Sequence, residues 1–203
     1  RIAIGTELPP YVLYESSTGI EVDIISVALK VNGHTVSFYF VPYLDIQSRL
    51  KSRQVDGTVQ DSKYSMDKEP NVTVYESDTT IKYHDFAITS LDKDIQIDSI
   101  GDLANKKVLA FQNASKYLGP VYAAMAKNND DYSEDPKQSH QVKLLYAGRV
   151  QVVISDKRIF EYWINLAESK GELHHKNQMK QLKFHNIFEA SPRNVKFIDR
   201  NIR

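Results

Sequence analysis

The feature that most restricts this chain is an alternation of short β-rich runs with helical patterns that plays through once, breaks, and then starts again. Arg1 to Thr6 reads as a strand, Val22 to Val31 as a helix with Ile24, Ile25, Ala28 and Leu29 at helical spacing, and Thr35 to Phe40 as a second strand. The helix is expected to stop at Asn32-Gly33. A helix over Tyr43 to Ser52, marked by Leu44, Ile46 and Leu50, and a strand at Val55 to Val59 add a second crossover. Residues 60 to 80 read as polar and irregular, Tyr83 to Thr89 as a strand, and Asp92 to Asp98 as an acidic break. After the break come a short helix at Ile100 to Ala104, a strand at Lys107 to Phe111, a helix from Ser115 to Ala126 and a polar loop from Asn128 to Lys137. They are followed by a helix from Gln138 to Ala147, a strand at Val150 to Ile154 and a helix from Asp156 to Leu166, in which Phe160, Trp163, Ile164 and Ala167 share a face. Gln181 to Glu189 is again β-rich, and Val195-Lys196-Phe197 is too short a remainder to found a third domain, so it is expected to return to the first half. This grammar predicts an α/β protein in two halves: 1–84 with 187–203, and 85–186.

Composition narrows the function classes. The 203 residues allow two lobes of about 100 residues each. With 41% hydrophobic residues the chain has the makings of a packed core, and 26 basic residues balance 26 acidic ones, which argues against a nucleic-acid partner. No apolar stretch approaches the roughly 18 residues needed to span a bilayer, and Arg1 to Ile4 reads as a strand and not as a signal peptide. The absence of cysteine removes disulfides, thiolate metal sites and thiol nucleophiles together, yet fits the cytosol and the periplasm alike.

Catalytic signatures are missing as well. The glycines at 5, 19, 33, 57, 101, 119, 148 and 171 are too widely spaced for either phosphate-cradling loop, and neither HExxH nor GxSxG occurs. His174-His175 sits in a polar segment that reads as a solvated loop. No enzyme activity, metal or cofactor is therefore expected.

The sharper signal is a set of blocks in fixed order: Gly5-Thr6-Glu7-Leu8-Pro9-Pro10-Tyr11; Gly19-Ile20-Glu21-Val22-Asp23 opening a helix; Val55-Asp56-Gly57; Leu103 to Val108 with Gln112 to Ser115; and Gly148-Arg149-Val150 running to Asp156. In this order they resemble the bacterial extracellular solute-binding proteins of family 3, the periplasmic amino-acid receptors of ABC transporters. The resemblance spans nearly the whole chain. Gln151 stands where the family pattern has Asp and Asn113 where it has Gly. The family also continues beyond position 203 with an amphipathic helix, a difference the resemblance assigns to truncation or disorder.

The resemblance implies the two-lobe type II periplasmic-binding fold, with two hinge strands (Tyr83 to Thr89 and about Leu182 to Glu189) and a ligand cleft between the lobes. It also implies ligand contacts. Lys68 falls where the family has an Arg that forks the ligand's α-carboxylate; lysine keeps the charge and loses the bidentate geometry, with Lys63 nearby as a second charge. Ser115 matches the hydroxyl that bonds the same carboxylate, unless it serves only as a helix cap. Asp156 matches the carboxylate that meets the ligand ammonium, with an N-cap as its plainer role. Glu7, Leu8 and Tyr43 match positions around the ligand side chain, and Asp61 adds to an acidic bias that favours a cationic group.

The function implied is capture of a small polar solute, an amino acid or related zwitterion, by a monomeric extracytoplasmic protein whose signal peptide is already removed and whose partner is a membrane permease. Two rivals share the fold: the sensor domain of a membrane-bound signalling protein, and a regulatory domain fused to a cell-wall lyase.

Overall fold

A computed structural model describes residues 1–6, 8–42, 45–61, 73–173 and 181–198. In chain order the elements are β1 (Ile2–Gly5), α1 (Ile20–Val31), β2 (Phe38–Val41), α2 (Ile46–Lys51), β3 (Gly57–Asp61), β4 (Tyr75–Glu76), β5 (Ile81–Tyr83) and β6 (Asp85–Ser90). After two 3-10 turns, Leu91–Lys93 and Ile100–Leu103, come β7 (Val108–Phe111), α3 (Ala114–Tyr117), α4 (Pro120–Lys127), β8 (Tyr132–Asp135) and α5 (Gln138–Tyr146). Last are β9 (Val152–Asp156), α6 (Lys157–Ser169), β10 (Leu182–His185) and β11 (Ser191–Phe197). The chain forms two compact units, Arg1–Tyr83 with Ala190–Arg203, and His84–Glu189.

In the first unit β2, β1 and β3 run parallel, and β11 joins β3 antiparallel, pairing in turn with β4 and β5. All four residues of β1 are buried, the continuous apolar run expected of a parallel strand covered on both faces. Ala3 packs with Val41, Ile46, Leu50 and Val55. Helix α1 buries Val22, Ile25 and Leu29, and its acidic first turn and Lys30 in the last both suit the helix dipole. Two glycines of the sequence blocks are required by close approach. Gly19 has φ +128, and a Cβ there would lie 2.4 Å from the Tyr11 carbonyl oxygen. At Gly57 a Cβ would come within 2.9 Å of the Phe197 ring.

In the second unit the strand order is β10-β6-β9-β7-β8, with β9, β7 and β8 parallel and β6 antiparallel to both of its neighbours. Alternate side chains feed two cores. Ala87, Val108, Ala110, Val152 and Ile154 pack with Leu103, Tyr122, Met125 and Phe188. The residues between them, Ile88, Leu109 and Val153, pack with Val142, Leu145, Phe160 and Ile164 of α5 and α6.

Four sequence expectations need correction. The single helix from Ser115 to Ala126 is two, because Gly119 at φ +90 and Pro120 end α3 and start α4. The polar loop from Asn128 to Lys137 contains β8, an edge strand whose Tyr-Ser-Glu-Asp sequence has too little apolar signal to read as one. The strand predicted over Tyr83 to Thr89 is interrupted at His84, so that β5 ends in one unit and β6 begins in the other. The segment read as irregular after residue 60 holds the short strand β4, while 62–72 lie outside the described residues.

Candidate functional site

Parallel strands in an α/β sheet end together, and the loops beyond their carboxyl ends are where such folds gather polar groups for ligands. In the second unit that edge carries Phe111 of β7, Asp135 of β8 and Asp156 of β9; Asp85, at the start of antiparallel β6, is the register partner of Asp156.

Asp156 is 4% exposed. One carboxylate oxygen accepts the backbone N–H groups of Arg158 (2.9 Å) and Ile159 (3.1 Å), capping α6, and the other accepts the N–H of His84 at 2.7 Å. The N-cap role open from the sequence is present, and the same carboxylate fastens the first residue of the unit. His84 is held on its other side too: its Nε2 lies 2.9 Å from Asn186 Oδ1 and 3.0 Å from the Phe188 carbonyl oxygen, so Nε2 carries the proton.

Ser115 follows a turn in which Asn113, at φ 64, takes the left-handed conformation that a glycine would adopt freely. This aims the N–H groups of Asn113 and Ser115 at one point, and the point is occupied by Glu134. Its Oε2 accepts from Asn113 N–H at 2.6 Å and its Oε1 from Ser115 N–H at 2.9 Å and from the Tyr132 hydroxyl at 2.8 Å. Burial opposes ionisation of Glu134, but the Ser115 N–H and hydroxyl, the Tyr132 hydroxyl and the Asn113 N–H outweigh it and hold the carboxyl below its usual range. Glu134 was not singled out from the sequence; the period-two placing of Tyr132 and Glu134 was the available signal, and it was hidden in a segment read as loop.

The first unit contributes two of the predicted contacts to the described residues. Leu8 forms an isolated bridge with Val12, whose N–H donates to the Leu8 carbonyl at 2.9 Å. Asp61, at the end of β3, accepts a hydrogen bond from the Ser191 hydroxyl. Glu7, Tyr43, Lys63 and Lys68 lie outside the described residues.

A buried ionic cluster in the same unit also escaped sequence reasoning. Glu21, fully buried in the first turn of α1, accepts from Arg193 Nε (3.3 Å) and from the Tyr83 hydroxyl (3.0 Å). The Arg193 guanidinium stands 4.8 Å from the Tyr83 ring centre, and Tyr11 stacks on Tyr83 at 4.2 Å. Burial, reinforced by the Glu21 charge, pushes the Tyr83 hydroxyl well above its usual range, so it serves as a donor at every working pH. Among the described residues there is no group of three or more His, Cys, Asp or Glu side chains able to hold a metal, and no helix is long and apolar enough to cross a membrane.

Comparison with solved structures places this architecture. The ligand-binding core of GluR0 in complex with L-glutamate superposes with a TM-score of 0.70 at 14% identity, covering 99% of this chain and 87% of that one. A histidine kinase sensor domain with similarity to periplasmic binding proteins gives 0.68 at 18% identity, covering 98% and 82%. An ancestral arginine-binding protein bound to arginine gives 0.67 at 18% identity, covering 98% and 84%. The fold is that of the periplasmic binding proteins. No family model matches the sequence, and no curated protein does.

Proposed function

We propose that this chain binds a small polar solute, an amino acid or related zwitterion, and performs no catalysis on it. The observation that carries the reading is the carboxyl edge of the second unit's sheet, where convergent backbone N–H groups, a hydroxyl and ordered carboxylates meet in a fold whose solved examples include glutamate- and arginine-bound proteins. On this reading Lys68, with Lys63, meets the solute's acid group as a point charge, Glu7, Leu8, Tyr43 and Asp61 set the side-chain preference, and Ser115 and Asp156 mark the second unit's share.

The block order supports membership of the family 3 solute-binding proteins, and with it an extracytoplasmic setting and delivery to the permease of an ABC importer. A sensor role is the second reading, favoured by one of the similar structures, the histidine kinase sensor domain. Both share the binding step. A thermal-shift panel of amino acids, polyamines and small carboxylates tests that step: a solute at 100 times its dissociation constant raises unfolding free energy by about 2.7 kcal/mol. A flat response across the panel removes the solute-binding reading.

A further inference from the structure

The donors that converge beyond β7 form an anion receptor already filled by the chain itself. Glu134 is the register partner of Ala110, so it reaches the carboxyl edge from the neighbouring strand, and both of its oxygens are used. A bound acid group at such an edge asks for the same partners: two backbone N–H groups and a hydroxyl aimed at one point.

We infer that Glu134 is a specificity residue: its carboxylate occupies the cradle made by Asn113, Ser115 and Tyr132, so that a solute taken at this edge is recognised through a cationic group and not through a carboxylate. The inference deepens the binding function proposed above and rests on it for the solute, though not for the cradle. A tethered group competes at an effective concentration in the mM range or higher, so a free carboxylate of ordinary weak affinity does not displace it. Nor does a second carboxylate enter beside it without cost, because two acids sharing one site resist joint ionisation.

The surroundings point the same way. Asp85, paired in register with Asp156, and Glu134 both act on the buried Tyr122 hydroxyl, whose pKa burial raises first and these charges raise further. Lys116, Lys157 and Arg158, in the turns that follow these strands, are exposed, and the Lys157 nitrogen stands 5.0 Å from the centre of the Phe184 ring. The Glu134 carboxylate fixed in the cradle attracts an ammonium or guanidinium and repels an acid.

Acetate is the probe for the cradle. Titrated into the isotope-labelled wild-type chain, it is expected to leave the Asn113 and Ser115 amide resonances in place, and in Glu134→Ala to move both saturably; Glu134→Gln, which preserves the shape, gives an intermediate response and serves if the alanine variant does not fold. Saturable movement in the wild type, or none in either variant, overturns the inference. For the solute, calorimetry with L-argininamide and L-arginine is expected to show the ratio of the two affinities move toward L-arginine by about tenfold or more in Glu134→Ala. A ratio unchanged by the substitution overturns it. Silence toward both probes counts against the cationic solute and against the binding function, while the acetate titration still decides the cradle.

Discussion

The carboxylate of Asp156 joins two points 72 positions apart in sequence, capping α6 with one oxygen and accepting the His84 N–H with the other. The end of β9 is thereby fastened to the residue with which the chain enters the second unit. A helix cap contributes about 1 kcal/mol and a buried N–H left without a partner costs about 1 to 3 kcal/mol, so Asp156→Ala is expected to lower unfolding free energy by about 2 to 4 kcal/mol in urea titrations. Asp156→Asn keeps an acceptor oxygen on the cap and loses less. A normal stability for Asp156→Ala would show that the clasp contributes nothing.

The Glu21–Arg193 pair is buried on both sides, at 0% and 3% exposure of the side chains. Removing one partner strands the other charge in the core, and Glu21→Gln or Arg193→Met alone is expected to cost about 3 to 5 kcal/mol. The double variant Glu21→Gln with Arg193→Met should recover much of that loss, because neither charge is left behind. Chemical denaturation of the three variants measures the coupling; purely additive losses would mean that the two side chains act independently.

Gly19→Ala and Gly33→Ala separate space from backbone conformation. Both residues have positive φ, +128 and +78, but a Cβ meets backbone 2.4 Å away at Gly19 and nothing within 4 Å at Gly33. Gly33→Ala is expected to cost about 1 to 2 kcal/mol for the left-handed conformation alone. Gly19→Ala adds an overlap that only backbone movement relieves, so its thermal midpoint should fall clearly further; equal midpoints would dismiss the close approach of Tyr11.

Asp56 gives a pH signature. The Arg1 guanidinium, bonded to it at 2.9 and 3.2 Å, lowers its pKa to about 2 from 3.8, against a smaller opposing effect of burial. A depressed folded-state value contributes stability that is fully present above pH 3.8 and lost as pH falls through about 2. The wild type is therefore expected to lose stability between pH 4 and pH 2 more steeply than Asp56→Asn, with the two parallel above pH 5. Solvent screening keeps the difference small, since Asp56 and Arg1 are both partly exposed. Identical acid profiles would remove Asp56 from the account.

Much of the fold was legible because burial on both faces leaves an unmistakable trace: β1, β7 and β9 are near-continuous apolar runs, and α6 carries Phe160, Ile164 and Ala167 at helical spacing. Strand β8 was not legible because an edge strand with Ser133, Glu134 and Asp135 needs no apolar code, its pairing being fixed by its neighbour β7. That one omission hid Glu134 and with it the state of the Ser115 donors. Asp156 was legible as a residue, since strand-end carboxylates before helices stand out, but its bond to His84 depends on a contact across 72 positions that no local pattern encodes. Glu21 belonged to a recognised block, yet its burial opposite Arg193 follows only from the sheet order that brings β11 beside β5.

Tyr83 and Ser191 are direct partners in the antiparallel ladder between β5 and β11, although everything from His84 to Ala190 intervenes in the chain. Paired Cα atoms in such a ladder stand about 5 Å apart, a gap that a tight reversal closes. The second unit is thus spliced into a hairpin, both of its ends returned to the same two strands. Deleting it and joining Tyr83 to Ser191 through a short glycine-bearing turn asks no strand of the first sheet to change partner or register, which makes the second unit a natural candidate for excision and for transplantation into another hairpin.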